Sequence, residues 1–126
     1  MTRGGPMNNE PEHRDEEIRA AIDELNEAHE NVSRVREEGE RWQQENPSPT
    51  QPHSVKSMAE LDRFEHRNKA WNKQYRERRE LLEKAQARLH AAQEKLVSLL
   101  PERIGYEYKG KRYQREGSSY RTDRVG

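Results

Sequence analysis

The sequence predicts a mainly α protein: an antiparallel two-helix coiled-coil hairpin with a small C-terminal β-hairpin and disordered termini. Three observations lead there. The run Ser57–Leu100 contains neither Pro nor Gly, and its residues Leu61, Phe64, Asn68, Trp71, Tyr75, Arg78, Leu82, Ala85, Leu89, Ala92, Leu96 and Leu99 follow at alternating steps of three and four, the seam of a heptad repeat. Earlier, Ile18, Ala21, Leu25, Ala28, Val32, Val35, Gly39 and Trp42 step in the same way. Between the two seams lies Asn46–Lys56, where Pro47, Pro49 and Pro52 forbid a continuous helix.

Charge completes the pairing. Residues 10–45 carry 13 Asp/Glu against 5 Lys/Arg, whereas residues 56–95 carry 11 Lys/Arg against 7 acids. An acidic helix followed by a basic one predicts that the two pair with each other, placing Trp42 near Phe64 or Trp71 and Ile18 near Leu89 to Leu96.

Taken in order, residues 1–9 hold Gly, Pro and Asn with no period and are expected to form a flexible lead. The first helix is expected over residues 10–45, with Asn9 as a cap and Pro11 in the first turn. Ile22 lies beside the seam, and Gly39 weakens its last turns by about 1 kcal/mol relative to Ala. The second helix, expected over residues 57–100, opens on Ser57-Met58-Ala59-Glu60, a capping box, and Pro101 ends it. In the expected β-hairpin (residues 101–116), Lys109-Gly110 is the loop, Tyr108 faces Lys111, Tyr106 faces Tyr113, Ile104 faces Arg115, and Glu107 sits opposite Arg112 on the other face. A four-residue loop is the alternative. Residues 117–126 show no period and are expected to be disordered.

Composition narrows the function classes. The chain of 126 residues is 29% hydrophobic and 38% charged, too polar for a thick core but sufficient for a coiled-coil seam. It has no Cys, which removes disulfides, thiolate metal sites and Cys nucleophiles. No apolar run approaches the roughly 20 residues of a membrane helix, and the N-terminal residues lack the apolar centre of a signal peptide. A cytoplasmic or virion-associated place, with no membrane partner, is expected. The five histidines, His13, His29, His53, His66 and His90, include no pair three or four apart, so no metal or other cofactor is expected. With no phosphate loop and no nucleophile motif, neither an enzyme nor a small-molecule substrate is expected.

Two families share parts of this outline. Type VII secreted helical hairpins have a Trp near the turn, but their Trp-x-Gly is replaced here by Trp42-Gln43-Gln44, and no C-terminal Tyr has an acid four residues on. Transcript-cleavage factors pair a coiled-coil finger with a β region, but their acidic tip is replaced by Asn46-Pro-Ser-Pro-Thr-Gln-Pro-His-Ser54. Neither resemblance extends to the motifs that carry function.

The expected function is that of a non-enzymatic interaction protein, a spacer, adaptor or structural subunit in a larger assembly such as a phage or bacterial complex. Its partner would be another protein or a second copy. Partner contact is expected at Val97, Leu100, Tyr106, Tyr108, Lys111, Arg112, Tyr113 and Arg115, with Ile22 and Leu81 beside them. Asn68 and Arg78, polar residues at seam positions, are expected to fix register, Arg78 alternatively reaching Glu37 or Glu38. The alternative function is nucleic-acid binding by the basic, aromatic-interleaved stretch Arg63–Arg79 and the Tyr-rich C-terminus. Against it, Phe64, Trp71 and Tyr75 lie on the seam, and the first helix supplies acids to neutralise the cations.

Overall fold

The computed structural model describes residues 4–50 and 57–125, with side chains from residue 14 onward. Helix α1 is Gly4–Glu45 and helix α2 is Met58–Leu99; strands β1 (Tyr106–Tyr108), β2 (Lys111–Glu116) and β3 (Ser119–Arg124) follow. The chain divides into two compact units. Unit one combines α1 as far as Glu30, α2 from Ala87 and the sheet; unit two runs from Asn31 to Gln86.

Three boundaries follow elementary rules. The Glu60 N–H donates to Ser57 Oγ at 3.3 Å, the cap that the sequence predicts. The Asn46 N–H and side-chain amide both donate to the Trp42 carbonyl, at 2.8 and 3.0 Å, satisfying an orphan acceptor at the end of α1. At the other end α1 is helical from Gly4; residues 1–3 of the flexible lead expected over residues 1–9 lie outside the described residues. Pro6 falls in the first turn, where its missing N–H costs nothing, and Pro11 then lies inside the helix rather than at its start. Residues 51–56 of the expected connector lie outside the described residues.

In unit one the helices are antiparallel and share one core. Ile18, Ala21, Ile22, Leu25 and Ala28 of α1 cluster with Ala92 and Leu96 of α2, and with Leu100 and Tyr113. Ile22, placed beside the seam by sequence, is completely buried because the sheet forms a third layer over that flank of α1.

The sheet is an antiparallel meander in the order β1-β2-β3. Its first hairpin has the expected register, Tyr106 opposite Tyr113, Glu107 opposite Arg112 and Tyr108 opposite Lys111. Lys109 and Gly110 form a two-residue turn, both at positive φ (49° and 78°), as a type I′ turn requires. Ile104 falls before β1 and is exposed, so its expected pairing with Arg115 is not made. Arg115 pairs instead with Tyr120.

Strand β3 corrects the disordered tail. Gly117 has φ 62° and occupies the first central position of a two-residue turn between Glu116 and Ser119, where type II′ geometry favours Gly. The strand then brings Tyr120 beside Tyr113, ring centroids 6.4 Å apart. Alternation puts Tyr106, Tyr108, Tyr113 and Tyr120 on one face, which meets the helices, and Glu107, Arg112, Arg121 and Asp123 on the other, which is exposed.

In unit two the helices are again antiparallel, with Trp42 and Trp71 centroids 5.5 Å apart, the proximity expected from sequence. Val32, Trp42 and Ala85 are buried there, whereas Leu61, Phe64, Trp71, Tyr75 and Leu82 are only half-buried. Two helices without a third layer cover only the line on which they touch.

Leu96, with no exposed surface, and Leu81, 53% exposed, separate these environments experimentally. Leu96→Ala is expected to destabilise the fold by about 2–5 kcal/mol, and Leu81→Ala by no more than about 0.5 kcal/mol, as read from urea midpoints followed by circular dichroism.

Candidate interaction site

The C-terminal residues expected to meet a partner are largely occupied by the chain itself. Tyr113, Leu100 and Val97 are buried at 2%, 3% and 8% exposure, and Tyr106 and Tyr108 pack partly buried against the same core. The Tyr106 hydroxyl donates to the Asp15 carboxylate and accepts from Arg19 Nε at 3.2 Å. The Tyr108 hydroxyl donates to Asp23 Oδ2 at 3.2 Å, and Lys109 Nζ donates to Asp23 Oδ1 at 2.8 Å.

Much of the expected partner surface is therefore packed within the chain: α1 presents Asp15, Arg19 and Asp23 at helical spacing toward the tyrosine face. Ile22 is buried too, leaving Leu81 exposed. Lys111 and Arg112 remain exposed and Arg115 half-buried. The Arg112 side chain folds over Gly105, where a Cβ would run into it.

Unit two presents a different surface. Trp71 and Tyr75, one helical turn apart, stack with centroids 5.1 Å apart and planes 10° from parallel. Trp71 Nε1 donates to the Asn46 carbonyl at 2.7 Å, tying the end of α1 to α2 and fixing the indole. Arg78 lies over the Trp42 ring at 5.2 Å, a cation–π contact. Its stem therefore stays in the seam while its charge meets an aromatic face, instead of reaching Glu37 or Glu38. Asn68 is half-buried at its seam position.

The acids of the first helix, expected to neutralise the basic stretch, form no ion pair with it within 4 Å among the described residues. Among the described residues, Arg63, Arg67, Lys69, Lys73 and Arg76 form no ion pair within 4 Å, and Arg79 pairs with Glu83 of its own helix at 3.7 Å. At 100° per residue Lys69, Lys73 and Arg76 lie opposite the seam, and the acids Glu37, Glu38 and Glu40 are exposed on α1. The cross-helix charge pairing lies in unit one, where Arg88 forks onto Glu24 with two 2.8 Å bonds and reaches Glu27 at 3.3 Å.

Three concavities accompany these surfaces. In unit two, one of about 430 Å³ is lined by Gly39, Trp42, Tyr75 and Leu82 with Arg36, Arg78, Arg79, Glu40 and Gln43. Another, of about 910 Å³, lies along α2 beside Asn68, Lys69, Lys73 and Arg76. In unit one, a polar hollow of about 930 Å³ lies between Asp23, Glu27, His29 and Glu30 and the hairpin residues Lys109, Lys111 and Tyr113.

Among the described residues no group of three or more His, Asp or Glu is arranged to hold a metal ion. His66 and His90 each face an acid four residues away, Asp62 and Glu94. No described helix is long and apolar enough to cross a membrane. Comparison with known protein families, curated proteins and solved structures finds no match to this chain.

The anchoring groups of unit one set a pH dependence. The Lys109 ammonium holds the Asp23 carboxyl below its usual range, and Arg88 does the same for Glu24. Each contributes stability that is complete above the ordinary carboxylate value of about 4 and is lost as pH falls through the lowered value. Burial raises Tyr106, Tyr113 and Tyr120; their contribution is complete below about 10 and is lost as pH rises through the raised values. Thermal unfolding is expected to be level between about pH 5 and 9 and to weaken on both sides. The acid limb should flatten in Asp23→Asn, and the alkaline loss should coincide with tyrosine ionisation at 295 nm.

Proposed function

We propose that this chain is a non-enzymatic interaction module whose contact surface is the aromatic seam of residues 31–86. The observation that carries this reading is the half-burial of Leu61, Phe64, Trp71, Tyr75 and Leu82 along one helical line. In unit one the equivalent stripe lies beneath a sheet; in unit two no described element does that work. At about 25 cal/mol per Å² of apolar surface, covering these side chains favours association. Trp, Tyr and Arg are also the residues that most often dominate interface energetics. The partner of this reading is a protein, which makes the chain a spacer, adaptor or structural subunit.

Pull-down from the native source followed by crosslinking should place the contacts on Leu61, Phe64, Trp71 and Leu82. The double variant Leu61→Glu, Phe64→Glu should lose capture while keeping its helical circular dichroism. A chain that captures nothing and sediments as a monomer would sink the reading, as would crosslinks confined to the charged face of the sheet.

A second reading, nucleic-acid binding, is favoured by the cations Arg63, Arg67, Lys69, Lys73 and Arg76, which have no ion-pair partner among the described residues, and of which Lys69, Lys73 and Arg76 form a stripe. Phosphate recognition predicts an electrophoretic shift at low salt that fades steeply toward physiological salt. The triple substitution of Lys69, Lys73 and Arg76 by Ala should flatten that salt dependence. Absence of any shift at low salt eliminates this reading.

A further inference from the structure

The seam of unit two has a hole in it. Gly39 occupies a helical seam position where Ala or Leu would be the better helix former, and a Cβ built there meets nothing within 4 Å. No close approach of backbone therefore requires glycine at this position. Gly39 lines a notch of about 430 Å³ walled by Trp42, Tyr75 and Leu82, with the Arg78 guanidinium already resting on Trp42. Its rim carries Arg36, Arg78 and Arg79 against a single acid, Glu40. Arg79 is held loosely by Glu83 at 3.7 Å, while Arg36 has no ion-pair partner among the described residues.

We infer that the notch is the socket of the interaction site, receiving one bulky apolar side chain from a protein partner whose flanking residues are acidic. The inference rests on the interaction reading above and names the partner's chemistry. The notch is a side-facing groove on a helix pair, not an enclosed cavity. It cannot bury most of the surface of a free small molecule, as small-ligand sites do, whereas a side chain presented by a second polypeptide needs only its tip covered. Knob-into-hole packing supplies that geometry, with Gly39 leaving the α1 side of the hole without a side chain. The excess of cations over acids on the rim selects Asp or Glu beside the knob, with Arg36 free to fork onto a carboxylate.

The test uses the full chain and a phage-displayed library of amphipathic peptides as probe. Selected peptides should share a bulky apolar residue with Asp or Glu three or four positions away. Their synthetic versions, titrated by fluorescence of Trp42 and Trp71, should bind at least ten-fold more weakly to Gly39→Leu, whose side chain intrudes on the notch. They should be similarly weakened by the double variant Arg36→Glu, Arg79→Glu, which leaves the notch open and keeps the test valid if Gly39→Leu misfolds. Peptides that bind Gly39→Leu as tightly as the parent, or that lack acids, overturn the inference. So does an empty selection. A parent chain that sediments as a dimer and becomes monomeric on Gly39→Leu overturns it by naming a second copy as the occupant. Peptides indifferent to Gly39→Leu yet lost in Leu61→Glu, Phe64→Glu would refute the socket and leave the interaction reading standing.

Discussion

Two helices lying side by side can bury only the stripe along which they touch, and the whole molecule is arranged around that limit. With 29% hydrophobic residues, the chain cannot clothe both helices. It spends its surplus tyrosines on one unit, where the sheet turns a stripe into a three-layered core holding Ile18, Ile22 and Leu96 at near-zero exposure. The other unit keeps the bare two-helix seam and compensates only partly with aromatics, whose broad faces cover more surface per residue than Leu. Burial and exposure thus mark a division of labour between a finished core and a surface left open.

Polar contacts follow the same division. In unit one, charges connect different elements: Arg88 to Glu24, Lys109 to Asp23, Arg19 and Asp15 to Tyr106. Most of these groups sit at the solvent edge, where ion pairs add little net stability but penalise a sheet docked in the wrong place. In unit two, among the described residues, no ion pair joins the two helices, and packing of Trp42 against Trp71 and the hydrogen bond from Trp71 to Asn46 hold the pairing.

The helices and the first hairpin were legible in the sequence because both rest on short-range rules. A three-four step, a Ser cap and period-two alternation around Lys109-Gly110 each act over a few residues. Strand β3 escaped because its residues, Ser119 to Arg124, carry one aromatic and several charges; the available signal was the Gly117-Ser118 turn, a hairpin dipeptide read as tail. The intramolecular packing of the C-terminal tyrosines was hidden for a related reason. Tyr113 and Leu100 look like an unclaimed apolar surface in one dimension, and only the tertiary docking of the sheet reveals that α1 claims them. Which charges of α2 find acids is likewise a matter of helix rotation, and the count of acids and bases does not contain it.

The division into units also sets the order in which the chain can assemble. Unit two is a continuous segment, residues 31–86, whereas unit one joins two remote parts of the chain. Its defining contacts span 64 residues between Glu24 and Arg88 and 91 between Asp15 and Tyr106. Closing such loops carries an entropy penalty that grows with their length, and zipping the helices together from the connector shortens the effective loop before the sheet must dock. Topology therefore favours early closure of unit two and late closure of unit one. A newly synthesised chain consequently exposes Ile18, Ile22 and Leu25 until the sheet residues have emerged and folded back.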